Sequence, residues 1–159
     1  MKGDAKVMAG LQEAIDLELS LSLQYLLDQC NVQRYGLSIA DGLKVLSDQS
    51  KDYVGQLTGA LLFFEGAPGF NAKPAATHKT VTDIETEAVA NETAIVVRYS
   101  ALCKEAYEAG EMDIFHLYQH LTKWHRRGGN GYEGHLSWLQ KQRWQLQEFG
   151  EKDYEAVKA

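Results

Sequence analysis

Both prolines of the chain, Pro68 and Pro74, fall in one short stretch near its middle. Everything on either side is free of the residue that breaks helices outright. Long helices are therefore open to both flanks, and the proline stretch divides the molecule into two halves.

Apolar residues recur at three- and four-residue steps through each half. From 4 to 34 the spacing of Val7, Leu11, Ala14, Leu21, Tyr25 and Val32 predicts one long helix. A second stripe of Leu19, Leu23, Leu26 and Cys30 gives it another face to bury, most simply against another subunit. Tyr35-Gly36-Leu37 with Ser38 reads as a stop and restart, Gly36 closing one helix and Ser38 capping the next. That next helix spans 39–64 on Ile39, Leu43, Leu46, Leu57, Leu61 and Phe64, and Glu65-Gly66-Ala67-Pro68-Gly69 ends it. Residues 70–79 carry no helical pattern, and their length suits a crossover from one end of a bundle to the other. A third helix is expected over 81–109, stopped at Gly110. The fourth, 112–147, should break or bulge near 127–131, because each glycine of Arg127-Gly128-Gly129-Asn130-Gly131 costs about 1 kcal/mol in a helix interior. The tail 150–159 adds a further short helix or none. The fold class expected is all-α, one domain over 1–159: a ferritin-like four-helix bundle of two antiparallel hairpins joined by a long crossover.

A chain of 159 residues that is 45% apolar can build one sizeable core. Its net charge of −6 argues against nucleic acid or an acidic membrane as partner, since both reward clustered Lys and Arg. Cys30 and Cys103 are too few for a disulfide framework and read as helix-packing residues in a reducing compartment. MKGDAKVMAG lacks the pattern of a secretion signal and no apolar run is long enough to span a membrane, so a cytoplasmic location is expected.

Polar residues on core stripes are the candidates for function. Glu18 lies between Ala14 and Leu21, where a carboxylate costs several kcal/mol unless a cation, a proton or strong hydrogen bonds compensate it. Ser50 and Tyr53 hold the stripe between Leu46 and Leu57, and Tyr132 and His135 share one helical face. Di-iron bundles place one Glu on each of two helices and a Glu-x-x-His pair on each of the other two. Here the pairs read Ser50-x-x-Tyr53 and Tyr132-x-x-His135. The spacing is present while most ligands are replaced.

The N-terminal MKGDAKV, Glu18-Leu19 with Gln24-Tyr25, Tyr35-Gly36-Leu37, Phe64-Glu65-Gly66-Ala67-Pro68, and Glu133-Gly134-His135-Leu136 with Trp138-Leu139 follow one another in the order of the bacterioferritin pattern. The chain resembles that family over most of its length. The resemblance implies an iron-storing shell of many subunits, ferrous iron oxidised at a di-iron centre within each subunit, and haem held between paired subunits by a methionine from each. Carried over by position, Glu18 and His135 match ferroxidase ligands and Tyr25 the tyrosine beside the centre. Ser50 stands at a glutamate position, Tyr53 at a histidine, and Tyr132 at the bridging glutamate. On the third helix Ile95 or Val96 takes the glutamate position; a shifted register would place Glu92 there, on a stripe with Ala88, Ile95 and Tyr99. Lys51 or Asp52 replaces the haem methionine, so haem is not expected at that site.

Three functional readings follow. The first is a bacterioferritin-like subunit with a degenerate ferroxidase centre and no enzymatic role, structural or co-assembling in iron storage, as a homo-oligomer or with an intact bacterioferritin paralogue. The second is a repurposed four-helix scaffold or accessory subunit without iron. The third keeps an oxidase-type, reduced site at Glu18 and His135, with Glu92 under the shifted register, for iron or another single metal ion; Tyr53 or Tyr132 would serve as phenolate. Without metal, Glu18 is expected to pair with an imidazole or tyrosine hydroxyls. His116 and His120 form a two-ligand clip on one helical face. His125, with Trp124, Arg126 and Arg127, reads as an exposed basic helix end, with an anionic cofactor or another subunit as the alternative.

Overall fold

The computed structural model describes residues 2–34, 36–129 and 132–149. Tyr35, Asn130, Gly131 and the tail 150–159, on which several expectations fell, lie outside the described residues, as does the side chain of Tyr132.

The chain folds as α1 (Ala5–Gln33), α2 (Ile39–Phe63), α3 (Val81–Glu108), α4 (Met112–Arg126), β1 (Gly128–Gly129), β2 (Tyr132–Glu133) and α5 (His135–Phe149). α1 pairs with α2, and α3 pairs with α4 and α5, so that α4 and α5 together make the fourth rod of a four-helix bundle. This is the expected all-α bundle of two helical pairs joined by a long crossover. The break near 127–131 takes a form the sequence reading did not specify: β1 and β2 pair antiparallel, Gly128 opposite Glu133 and Gly129 opposite Tyr132.

Each helix end has a local cause. Asp4 caps α1, its carboxylate accepting from the Lys6 and Val7 amides at 2.9 and 3.1 Å. Thr80 caps α3 by accepting from the Asp83 amide at 3.1 Å. Ser38 does not act as the expected cap: its backbone is already helical and its side chain makes no capping bond. Past α1 the chain turns at Gly36 with φ +71°, and the Leu37 amide donates back to the Val32 carbonyl at 3.3 Å. Gly110, with φ +76°, closes α3 in the same way.

The first pair is locked by reciprocal bonds between Ser22 and Ser47, each hydroxyl donating to the other's carbonyl at 2.9 and 2.7 Å. The crossover lies along α1 on a ladder of polar side chains one turn apart. Gln12 holds Gly69 through both its amide atoms, Asp16 accepts from the Asn71 amide, Ser20 from the Lys73 amide, and Gln24 holds Ala76 through both its amide atoms. The strap ends at His78, whose imidazole lies between the Asp28 and Glu87 carboxylates. Burial pushes the Asp28 carboxyl up, against the bonds from His78 and Gln24. α1 thus has three faces in use. The leucines of its second stripe, Leu23 and Leu26, are 40% and 47% exposed, and Cys30 is exposed rather than packed. No helix among the described residues is long and apolar enough to cross a membrane.

Candidate functional site in the bundle core

Four helical stripes converge on one polar cluster. On α1 the run Leu11, Ala14, Glu18, Leu21, Tyr25 is buried, and on α3 the run Glu85, Ala88, Glu92, Ile95, Tyr99. On α2 Leu46, Ser50, Tyr53 and Leu57 face inward, and α4 contributes Ile114, Tyr118, Leu121 and His125. His135 opens α5. Glu18, Glu92, His125 and His135 are all without solvent exposure.

The bonding between them is nearly complete. Tyr99 donates to Glu18 Oε1 and Tyr25 to Glu92 Oε1, each at 2.6 Å. His125 Nδ1 meets Glu92 Oε2 at 2.6 Å, and its Nε2 meets Glu18 Oε1. His135 Nδ1 lies 3.0 Å from Glu92 Oε1, and its Nε2 lies 2.7 Å from Gln49 Oε1. The two imidazoles sit 4.7 Å apart edge to face, and Tyr53 stacks on His135 at 6.0 Å. Carboxylates only accept, so an imidazole that faces one with each nitrogen carries both hydrogens and a positive charge. Burial alone would lower the His125 pKa, but the charges of Glu18 and Glu92 and their hydrogen bonds outweigh it and raise it to about 10. For Glu92 burial acts upward, and the opposing charges and bonds of His125 and His135 win, holding the carboxyl well below its usual range. Burial pushes the Tyr53 phenol well above its ordinary value, with the Glu18 and Glu92 charges acting the same way. The residues themselves do not prepare a phenolate.

The donor set does not fit a pair of metal ions. Two ions need carboxylates to bridge and terminate them, and this core supplies two where the di-iron pattern uses four. One of those two has both oxygens hydrogen-bonded. Among the described residues Glu18 Oε2, Ser50 Oγ and the Tyr118 hydroxyl are without a partner in this cluster. A single ion is a different case, because Glu92, His125 and His135 each offer one donor atom and these lie within 4.8 Å of one another.

Glu18, Glu92 and His135 are therefore brought together. Glu92 rather than Ile95 or Val96 puts a carboxylate at the centre of α3; Ile95 is buried one turn further along and Val96 is half-buried. His125 is a correction. It is fully buried rather than part of an exposed basic end, because the chain leaves α4 through β1 and β2 and returns at His135, whose ring meets that of His125 edge to face. The signal for it was present in the spacing Ile114, Tyr118, Leu121, His125. His116 and His120 are exposed and have no third ligand among the described residues. Lys51 and Asp52 are also exposed.

No protein-family model matches the chain, and no curated protein does. Solved structures match it over nearly its whole length. A Rhodobacter capsulatus bacterioferritin, described with a metal-free dinuclear site and haem iron, superposes with a TM-score of 0.89 at 22% identity, covering 100% of this chain and 96% of its own. Mycobacterium tuberculosis bacterioferritin BfrA superposes with a TM-score of 0.88 at 20% identity, covering 98% of this chain and 95% of its own. At these identities the likeness is one of architecture: the chain has the fold of a bacterioferritin subunit.

Proposed function

We propose that the chain is a bacterioferritin-like subunit that serves iron storage through assembly, in the cytoplasm, with no ferroxidase activity of its own. The observation that carries this reading is the His125 ring, seated between Glu18 and Glu92 and bonded to both. An imidazolium in that place compensates two buried carboxylates from within the chain, the task a pair of cations performs in a di-iron bundle. The subunit would contribute shell surface, as a homo-oligomer or beside an intact paralogue that oxidises the iron. Haem held by methionine is not part of this reading, since Lys51 and Asp52 stand at the position the resemblance points to.

A second reading rests on the three donor atoms of Glu92, His125 and His135. A single divalent ion held there would neutralise Glu92 and displace the hydrogens that His125 and His135 direct at it. Elemental analysis of protein isolated from its own host, combined with light scattering and a ferrous oxidation assay, separates the two. A large assembly with mineral iron, no stoichiometric metal after chelation and oxidation no faster than a Glu18→Ala variant supports the first. One tightly held ion per chain that disappears in Glu92→Gln supports the second and overturns the first. A small oligomer that stays free of iron when co-expressed with an intact bacterioferritin rules out both.

A further inference from the structure

A groove of about 820 Å³ lies between α3 and α4, lined by residues other than those of the core site although Ser100 and Arg126 directly follow Tyr99 and His125 in the chain, and its two ends differ in chemistry. At one end the walls are Cys103, Tyr107 and Phe115. The Tyr107 ring lies tilted against Phe115 at 5.4 Å and stays 61% exposed, so much of its surface is open. At the other end stand Lys123, Arg126 and Arg127, beside Gly128 where the hairpin begins. None of these three cations has an ion-pair partner among the described residues, while Lys104, which also lines the groove, meets Glu108. In a chain of net charge −6, these three unpaired cations are gathered on one cavity within five residues of one another. The helix C-terminus accounts for part of their placement, since cations in the last turn offset its carbonyls. That effect falls away within a turn and explains neither the cavity nor the exposed aromatic ring.

The volume is in the range of small-molecule clefts, which pair apolar walls with a few polar groups that fix orientation. Arginine side chains present paired donors that suit phosphate oxygens, and an exposed ring offers a stacking surface for a flat heterocycle. From Phe115 to Lys123 the rise along α4 is about 12 Å, which a mononucleotide spans once the flexible basic side chains fold toward it. We propose that this groove binds a small ligand built from one flat ring and one phosphate-type anion, of the size of a nucleoside monophosphate. The ring lies against Tyr107 and the anion meets Arg126, Arg127 and Lys123. The site is independent of metal in the core and of the storage reading above.

Calorimetric titration of the whole protein in its native assembly tests this with adenosine monophosphate, adenosine and inorganic phosphate as separate probes. The monophosphate should saturate at one per chain, with adenosine alone and phosphate alone each weaker by at least about tenfold. Arg126→Gln combined with Arg127→Gln, and separately Tyr107→Ala, should each weaken the monophosphate by at least about tenfold with an unchanged thermal midpoint, since these side chains are exposed. The proposal is overturned if the monophosphate fails to bind at about 1 mM, if phosphate alone binds as tightly, or if the double arginine variant binds undiminished.

Discussion

Gly134 rests directly on the backbone of Arg127: a β-carbon on Gly134 would lie 2.7 Å from the Arg127 nitrogen and carbonyl carbon. This contact closes the hairpin, so α5 restarts on the end of α4 and the His125 and His135 rings come within 4.7 Å. Gly134→Ala must push the two helix ends apart at a place walled by backbone. A loss of about 1–3 kcal/mol is expected, as for other overpacked sites. Urea unfolding checks it; a variant as stable as the parent would show that the two ends separate freely.

How far the chain could be read before its structure follows from what each residue reports locally. Glu18 and Glu92 interrupt apolar stripes, and such an interruption is visible wherever a helix is long enough to keep its period. His125 also continues a stripe, but Trp124, Arg126, Arg127 and the glycines around it read as a solvated helix end. Only the hairpin, a non-local device, turns that residue inward. The ladder of Gln12, Asp16, Ser20 and Gln24 was hidden for the opposite reason. Polar residues one turn apart look like a face in water, and their partners sit in an extended strap that has no period of its own.

Removing the His125 ring leaves Glu18 and Glu92 buried with their principal cation gone. His125→Ala should cost about 3–5 kcal/mol, the range for breaking a buried ion pair from one side. The parent should also respond to pH through this group. Its pKa is raised from 6.5 to about 10 on folding, so the stabilisation is complete below about 6.5 and disappears as pH rises toward about 10. Denaturant midpoints measured from pH 6 to 10 should fall in the parent and stay flatter in the variant. Equal slopes in the two proteins would mean that His125 is neutral in the folded core.

Glu85 is buried near the start of α3 with neither carboxylate oxygen partnered. Burial pushes its carboxyl from 4.5 up to about 8, with Arg143 opposing only in part. A group that keeps its proton longer when folded makes folding less favourable as pH rises through that window, here from about 4.5 to 8. Glu85→Gln removes the titration while keeping the shape. The difference in stability between variant and parent should therefore move in the variant's favour across the window and level off above it. Parallel stability curves from pH 4.5 to 8 would show that Glu85 titrates normally.

The Ser22–Ser47 bonds set α1 beside α2, and exposed apolar side chains occur on both helices: Leu23 and Leu26 on α1, Val45 on α2. Val45, Leu23 and Leu26 stay exposed at 52%, 40% and 47%, so the second stripe of α1 is open at these two leucines. If this stripe meets another subunit, each leucine contributes about 1.5–3 kcal/mol by leaving water. Leu26→Arg would both remove that contribution and place an unpaired charge in the contact. The expected outcome is a loss of assembled mass in light scattering at concentrations where the parent is assembled, with helical content unchanged because Leu26 takes no part in the core. An assembly that forms undiminished would place the subunit contact on another surface.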